Sequence, residues 1–111
     1  MLTDEDKNAF KGYSDWVEGK MMTEGHIRLM ENTLGLMGEA GEVAEKIKKS
    51  LRDGATVNPD DIMKELGDVA FYVTGLANFF GGSLATTLVM NMDKLESRAK
   101  RGTLKGSGDN R

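Results

Sequence analysis

Four carboxylates fall into two short pairs, Glu39-Ala40-Gly41-Glu42 and Glu65-Leu66-Gly67-Asp68, with 22 residues between them. Within each pair the acids stand at i and i+3. On an α-helix that spacing puts both side chains on one face, about 5–6 Å apart at Cβ. Carboxylates this close oppose each other's ionisation unless a cation lies between them. Two such pairs turned toward each other would offer up to eight oxygens, the donor type that suits Mg2+ or Mn2+. The same spacing also fits two solvated acidic faces. The elements that carry the pairs decide between these readings.

With 111 residues the chain fits one domain. A body over 1–101 is followed by a basic, glycine-rich tail over 102–111. Cysteine is absent and His26 is the single histidine, which removes disulfides, thiolate nucleophiles, Cys-type zinc sites and His-rich metal sites. The net charge of −3 hides an asymmetry: Lys100, Arg101, Lys105 and Arg111 face only Asp109 in the last twelve residues, so the body is strongly acidic. That distribution argues against a stable nucleic-acid partner, which would need a broad basic surface. The apolar run from Val69 to Phe80 is broken by Thr74, Gly75 and Asn78 and is too short to span a bilayer. No signal-peptide pattern precedes the first polar stretch, and the expected compartment is the cytoplasm.

Four helices are expected. Thr3 followed by Asp4, Glu5 and Asp6 reads as a capped start, with Phe10, Tyr13 and Val17 at helical spacing behind it. Trp16 fits the core of this helix, and Trp16 and His26 flank the break that follows it. The second helix, 25–52, carries an apolar stripe through Leu29, Thr33, Leu36, Ala40, Val43, Ile47 and Leu51. Glu39 lies roughly 80° to one side of that stripe, with Glu42 and Lys46 further round. Met30, Leu34 and Met37 predict burial on a second front. Gly35, Gly38 and Gly41 each cost about 1 kcal/mol relative to Ala in a helix, so they predict close approach by another backbone or a ligand. Asn58-Pro59-Asp60-Asp61 starts the third helix, whose stripe is Ile62, Leu66, Val69, Val73, Leu76 and Phe80. Glu65, Asp68 and Tyr72 share one flank of it. Gly81-Gly82 ends it and Ser83 caps the fourth helix, where Asn91, Lys94 and Arg98 share a face suited to a polyphosphate or to solvent. If the second and third stripes pack antiparallel, both acidic pairs line one edge of the same interface. The fold class is therefore all-α, a four-helix bundle-like protomer whose apolar surplus suits packing with a partner subunit.

Oxygen-only ligation narrows the ion to a hard divalent one, and metal-assisted phosphoryl or nucleotidyl transfer fits best. Leu36 to Glu45, then Lys48-Lys49, then Lys64-Glu65-Leu66-Gly67-Asp68-Val69, resembles the MazG-like nucleotide pyrophosphohydrolases of the all-α nucleoside triphosphate pyrophosphatase superfamily. The likeness runs from the second helix to Asn91, Lys94, Leu95 and Arg98; Gly38 stands where some members have a further Glu. It implies a nucleoside triphosphate substrate, cleaved to monophosphate and pyrophosphate, with clearance of non-standard or excess nucleotides as the role. It implies Mg2+, with Mn2+ as substitute, on Glu39, Glu42, Glu65 and Asp68, and Glu39 or Glu42 as the catalytic carboxylate. Lys46, Lys49, Asn91, Lys94 and Arg98 are its phosphate-holding candidates, and Tyr72 would orient substrate or water. It also implies a homodimer or homotetramer. The alternative from another class is a non-enzymatic helical oligomerisation or regulatory module that binds Mg2+ or a basic partner.

Overall fold

The computed structural model describes residues 1–102, in four helices: α1 Asp4–Gly19, α2 Gly25–Asp53, α3 Pro59–Phe79 and α4 Leu84–Arg101. Three of the starts are fixed by local hydrogen bonds. Thr3 and Asp6 form a reciprocal capping box, Asp6 N donating to Thr3 Oγ1 at 3.0 Å and Thr3 N to Asp6 Oδ2 at 2.9 Å. Asn58 Oδ1 accepts from Asp60 N at 3.0 Å ahead of α3, and Ser83 Oγ accepts from Thr86 N at 3.1 Å ahead of α4. Gly54, at φ 67°, closes α2 in the left-handed region that a side chain resists.

α2 and α3 form the long hairpin on which the molecule is built. α3 is central and packs on α1, α2 and α4, whereas the backbones of α2 and α4 do not come close among the described residues. The Gly81-Gly82 turn explains this, because α4 leaves α3 at 95° and crosses α1. Buried Ser14 pins the turn: its carbonyl accepts from Asn78 Nδ2 at 3.0 Å and its Oγ from Leu84 N at 3.1 Å. A second clamp joins three helices. Arg28 on α2 holds Glu18 on α1 through two bonds of 2.7 and 2.8 Å and donates to the Gly75 carbonyl on α3 at 3.1 Å. Its guanidinium also lies 5.7 Å from the Phe79 ring centroid.

The face that α2 turns to α3 differs from the expected one. Arg28, Asn32, Gly35, Glu39, Val43, Lys46 and Ser50 are buried or half-buried, while Thr33, Ala40 and Leu51 of the expected stripe are exposed. The helix is rotated by roughly 80° toward Glu39, at 3.6 residues per turn. Met30, Leu34 and Met37 are not buried on a second front; with Ile27 they make an exposed apolar line, each 62–69% accessible. Trp16 is likewise not core but 54% exposed. Close approach explains one of the three α2 glycines. A Cβ at Gly35 would sit 2.7 Å from Tyr72 Cδ1, whereas Gly38 and Gly41 have nothing within 4 Å. Among the described residues no single helix is long and apolar enough to cross a membrane. The expected basic tail lies outside the described residues, apart from Gly102 at the end of α4.

Candidate metal centre

The rotation of α2 brings the acids together. One carboxylate oxygen from each of Glu39, Glu65 and Asp68 lies within 4.8 Å of the others. Glu39 and Glu65 are half-buried between the helices, and Asp68 is exposed at the rim. Glu42 is exposed and stands outside that group, yet close enough for its charge to act on Glu39. The Glu39 carboxyl is held above its ordinary range by desolvation, then by the charges of Asp68, Glu65 and Glu42, and by a hydrogen bond with Glu65. Three convergent oxygens with no sulfur or imidazole fit a hard divalent cation better than zinc or copper. A cation there would relieve the repulsion that the pairs create.

Lys46 Nζ lies 3.4 Å from Glu65 Oε1 and balances part of this charge. It also lines a cavity of about 330 Å³ at the α2–α3 turn, with Lys49, Ser50, Thr56 and Asn58. A second cavity, of about 300 Å³, is lined by Glu39, Asp68, Phe71 and Tyr72. The expected place of Tyr72 beside the acids therefore holds, and Gly35 is what lets its ring lie against α2. The α4 candidates are elsewhere. Asn91 is exposed, Lys94 half-buried and Arg98 buried, and none of them lines either cavity.

Two site neighbours escaped sequence reasoning. Tyr13 comes from α1, with its hydroxyl pushed upward in pKa by burial and then by the charge of Asp68. Phe71 packs edge-on against Tyr72, ring centroids 5.3 Å apart, and against Trp16 at 6.1 Å. The signal for Phe71 was adjacency to Tyr72 one turn beyond Asp68. Nothing in the periodicity of α1 pointed Tyr13 at an acid on another helix.

Comparison with known proteins agrees with this geometry. The MazG nucleotide pyrophosphohydrolase domain matches residues 28–103, more than half of the chain, and covers both acidic motifs. The gene 37 protein of Mycobacterium phage L5 is 53% identical over 83 residues, 71% of this chain and 73% of its own. No solved structure matches significantly. An all-α hairpin that gathers its acidic motifs at one interface, within a sequence matched across that hairpin, places the chain in the MazG nucleotide pyrophosphohydrolase family.

Proposed function

We propose that the protein is a Mg2+-dependent nucleoside triphosphate pyrophosphohydrolase that yields a nucleoside monophosphate and pyrophosphate. The observation that carries this reading is the meeting of Glu39, Glu65 and Asp68 oxygens within 4.8 Å beside an open cavity, in a chain of this family. Glu39, Glu65 and Asp68 would hold the ion, with Glu42 as the outer carboxylate one turn along. When bound, Mg2+ supplies charge neutralisation of phosphate oxygens and acidifies water.

The chain's own residues do the rest. Glu39 sits at the cavity wall beside the place of the ion, where it would accept the proton of the attacking water. Lys46 exchanges Glu65 for a phosphate oxygen as substrate arrives, and Lys49, one turn on, holds the far phosphates from the adjoining cavity. Tyr72 fixes the sugar end against Phe71. The exposed line of Ile27, Met30, Leu34 and Met37 supports packing against a second copy. In such an assembly Asn91 and Lys94 serve a neighbouring protomer's site. Clearance of excess or non-standard nucleotides follows as the role.

Incubation with Mg2+ and a panel of nucleoside triphosphates tests the reading. Monophosphate and pyrophosphate are expected in equal amounts. Turnover of no nucleotide would contradict it and favour a regulatory module.

A further inference from the structure

We propose that Lys46 is a tethered counter-ion of the carboxylate cluster: its ammonium supplies part of the positive charge that a divalent ion would bring, weakens the hold on that ion alone, and so makes ion and triphosphate bind cooperatively. The cooperativity rests on the nucleotide reading above; the counter-ion role needs only the metal centre. Glu39, Glu42, Glu65 and Asp68 place four carboxylates along one stretch of the α2–α3 interface. Glu65 is the member with neighbours on both sides. It shares a hydrogen bond with Glu39, and its Oε1 lies 3.4 Å from Lys46 Nζ.

The helical repeat puts the ammonium there. Lys46 stands seven residues after Glu39 on the same face of α2, about 10 Å further along the axis at 1.5 Å per residue. The flexible four-carbon stem of a lysine lets its charge reach across to α3. The Glu65 side chain is 18% exposed and that of Lys46 40%, so water and salt screen the pair less than they would on an open surface. A positive charge held so close to a ligand oxygen repels a second cation that approaches the same carboxylate.

The same ammonium is built to move. Arg28, the other cation of this interface, is fixed by two bonds to Glu18 and one to the Gly75 carbonyl. Lys46 is held to Glu65 by a contact of 3.4 Å, longer than a normal hydrogen bond. It also lines the cavity of about 330 Å³ at the α2–α3 turn, together with Lys49, Asp53 and Asp61. Its side chain therefore borders two compartments, the carboxylates and the turn cavity. Once a divalent ion takes Glu65, the ammonium loses its partner and turns toward the cavity. Asp53 there is already held by Arg52 at 2.8 Å, which leaves Asp61 or a phosphate oxygen of the substrate to receive it. A bound triphosphate gives Lys46 the stronger new partner, so the ion and the triphosphate each favour the other by the same factor.

The test titrates the full chain with Mn2+ and no nucleotide, free ion being read by electron paramagnetic resonance. Lys46→Met keeps the apolar stem and removes the charge. It should bind Mn2+ about fivefold more tightly, the worth of a partly exposed ion pair. Lys46→Arg keeps the charge and should stay close to the wild type. Lys48→Met removes an equal charge from the same helix, at an exposed side chain paired with Glu45, and should change the affinity far less. Were Lys46 only a brace for Glu65, its loss would weaken Mn2+ binding. Weaker or unchanged binding in Lys46→Met, or an equal gain in Lys48→Met, would therefore overturn the proposal. A second titration adds a saturating α,β-methylene nucleoside triphosphate. The analogue should tighten Mn2+ binding in the wild type and do so by a smaller factor in Lys46→Met; an equal factor in both refutes the cooperativity. An analogue without effect on either protein counts against the nucleotide reading, while the titration with Mn2+ alone still decides the counter-ion role.

Discussion

Replacing Gly35 by Ala tests whether the α2–α3 interface is closed as described. In an open helix the change would stabilise, because Ala is favoured over Gly by about 1 kcal/mol. At Gly35 the new methyl would stand 2.7 Å from Tyr72 Cδ1, inside any real carbon–carbon contact. The ring must tilt or the helices part, and overpacking of this kind costs about 1–3 kcal/mol. The net expectation is destabilisation of about 1–2 kcal/mol, the clash outweighing the propensity. Gly12 on α1 has nothing within 4 Å and serves as the control. Gly12→Ala should stabilise by about 1 kcal/mol. Chemical denaturation of both variants, at one protomer concentration because association adds to stability, gives the comparison. Activity should fall with stability in Gly35→Ala, since Tyr72 lines the cavity at Glu39 and Asp68. A Gly35→Ala protein as stable as Gly12→Ala would refute the packing of Tyr72 on α2.

Other expectations follow from the charges and the exposed surface. Arg28 holds the Glu18 carboxyl below its ordinary 4.5. The stability this gives is therefore present above that value and is lost as pH falls through the lower folded one. Glu18→Gln should flatten the acid limb of a melting-temperature profile and cost about 1 kcal/mol at neutral pH, because Glu18 is half-exposed. Glu39 has the opposite sign: its raised folded value means that metal-free protein gains stability as pH falls through that value toward 4.5. Mg2+ should raise the melting point at neutral pH, and Glu39→Gln should remove both effects. In kinetics, Glu39→Gln should cost about a hundredfold or more in kcat, and Glu42→Gln, as the outer carboxylate, about ten- to a hundredfold. If the exposed line of Ile27, Met30, Leu34 and Met37 packs on a second copy, Leu34→Lys should lower the mass read by light scattering; an unchanged mass would contradict that interface.

Local chemistry was legible in the chain. The Thr3, Asn58-Pro59 and Ser83 starts follow from side chains that bond the first free amides of a helix, and each does so. The convergence of Glu39, Glu65 and Asp68 was legible because their spacing follows the helical repeat on two helices joined by a short turn. The rotation of α2 was not. Counting apolar residues assigned Thr33, Ala40 and Leu51 to the inner stripe, but these are exposed and the α2 face is filled by Arg28, Asn32, Gly35 and Lys46, with Leu29 and Leu36 half-buried beside them. A hydropathy count passes over Arg28 and Lys46, since Arg28 is buried through its pairing with Glu18 and Lys46 is half-buried beside Glu65. The surplus apolar residues Met30, Leu34 and Met37 then lie outside the protomer. Asn32, Gly35 and Glu39 do recur at i, i+3 and i+7, a small and polar line that marks the true inner face. The approach of Tyr13 to Asp68 depends on how α1 crosses α3 and has no counterpart in either helix alone.

In the proposed reaction water attacks the α-phosphorus at the carboxylate cluster. Hydrolysis of a nucleoside triphosphate in 18O-labelled water with Mg2+, read by mass spectrometry of both products, tests it most directly. The label should enter the nucleoside monophosphate and leave pyrophosphate unlabelled, with formation of both products lost together in Glu39→Gln. Label in pyrophosphate, or release of orthophosphate with a nucleoside diphosphate, would contradict it.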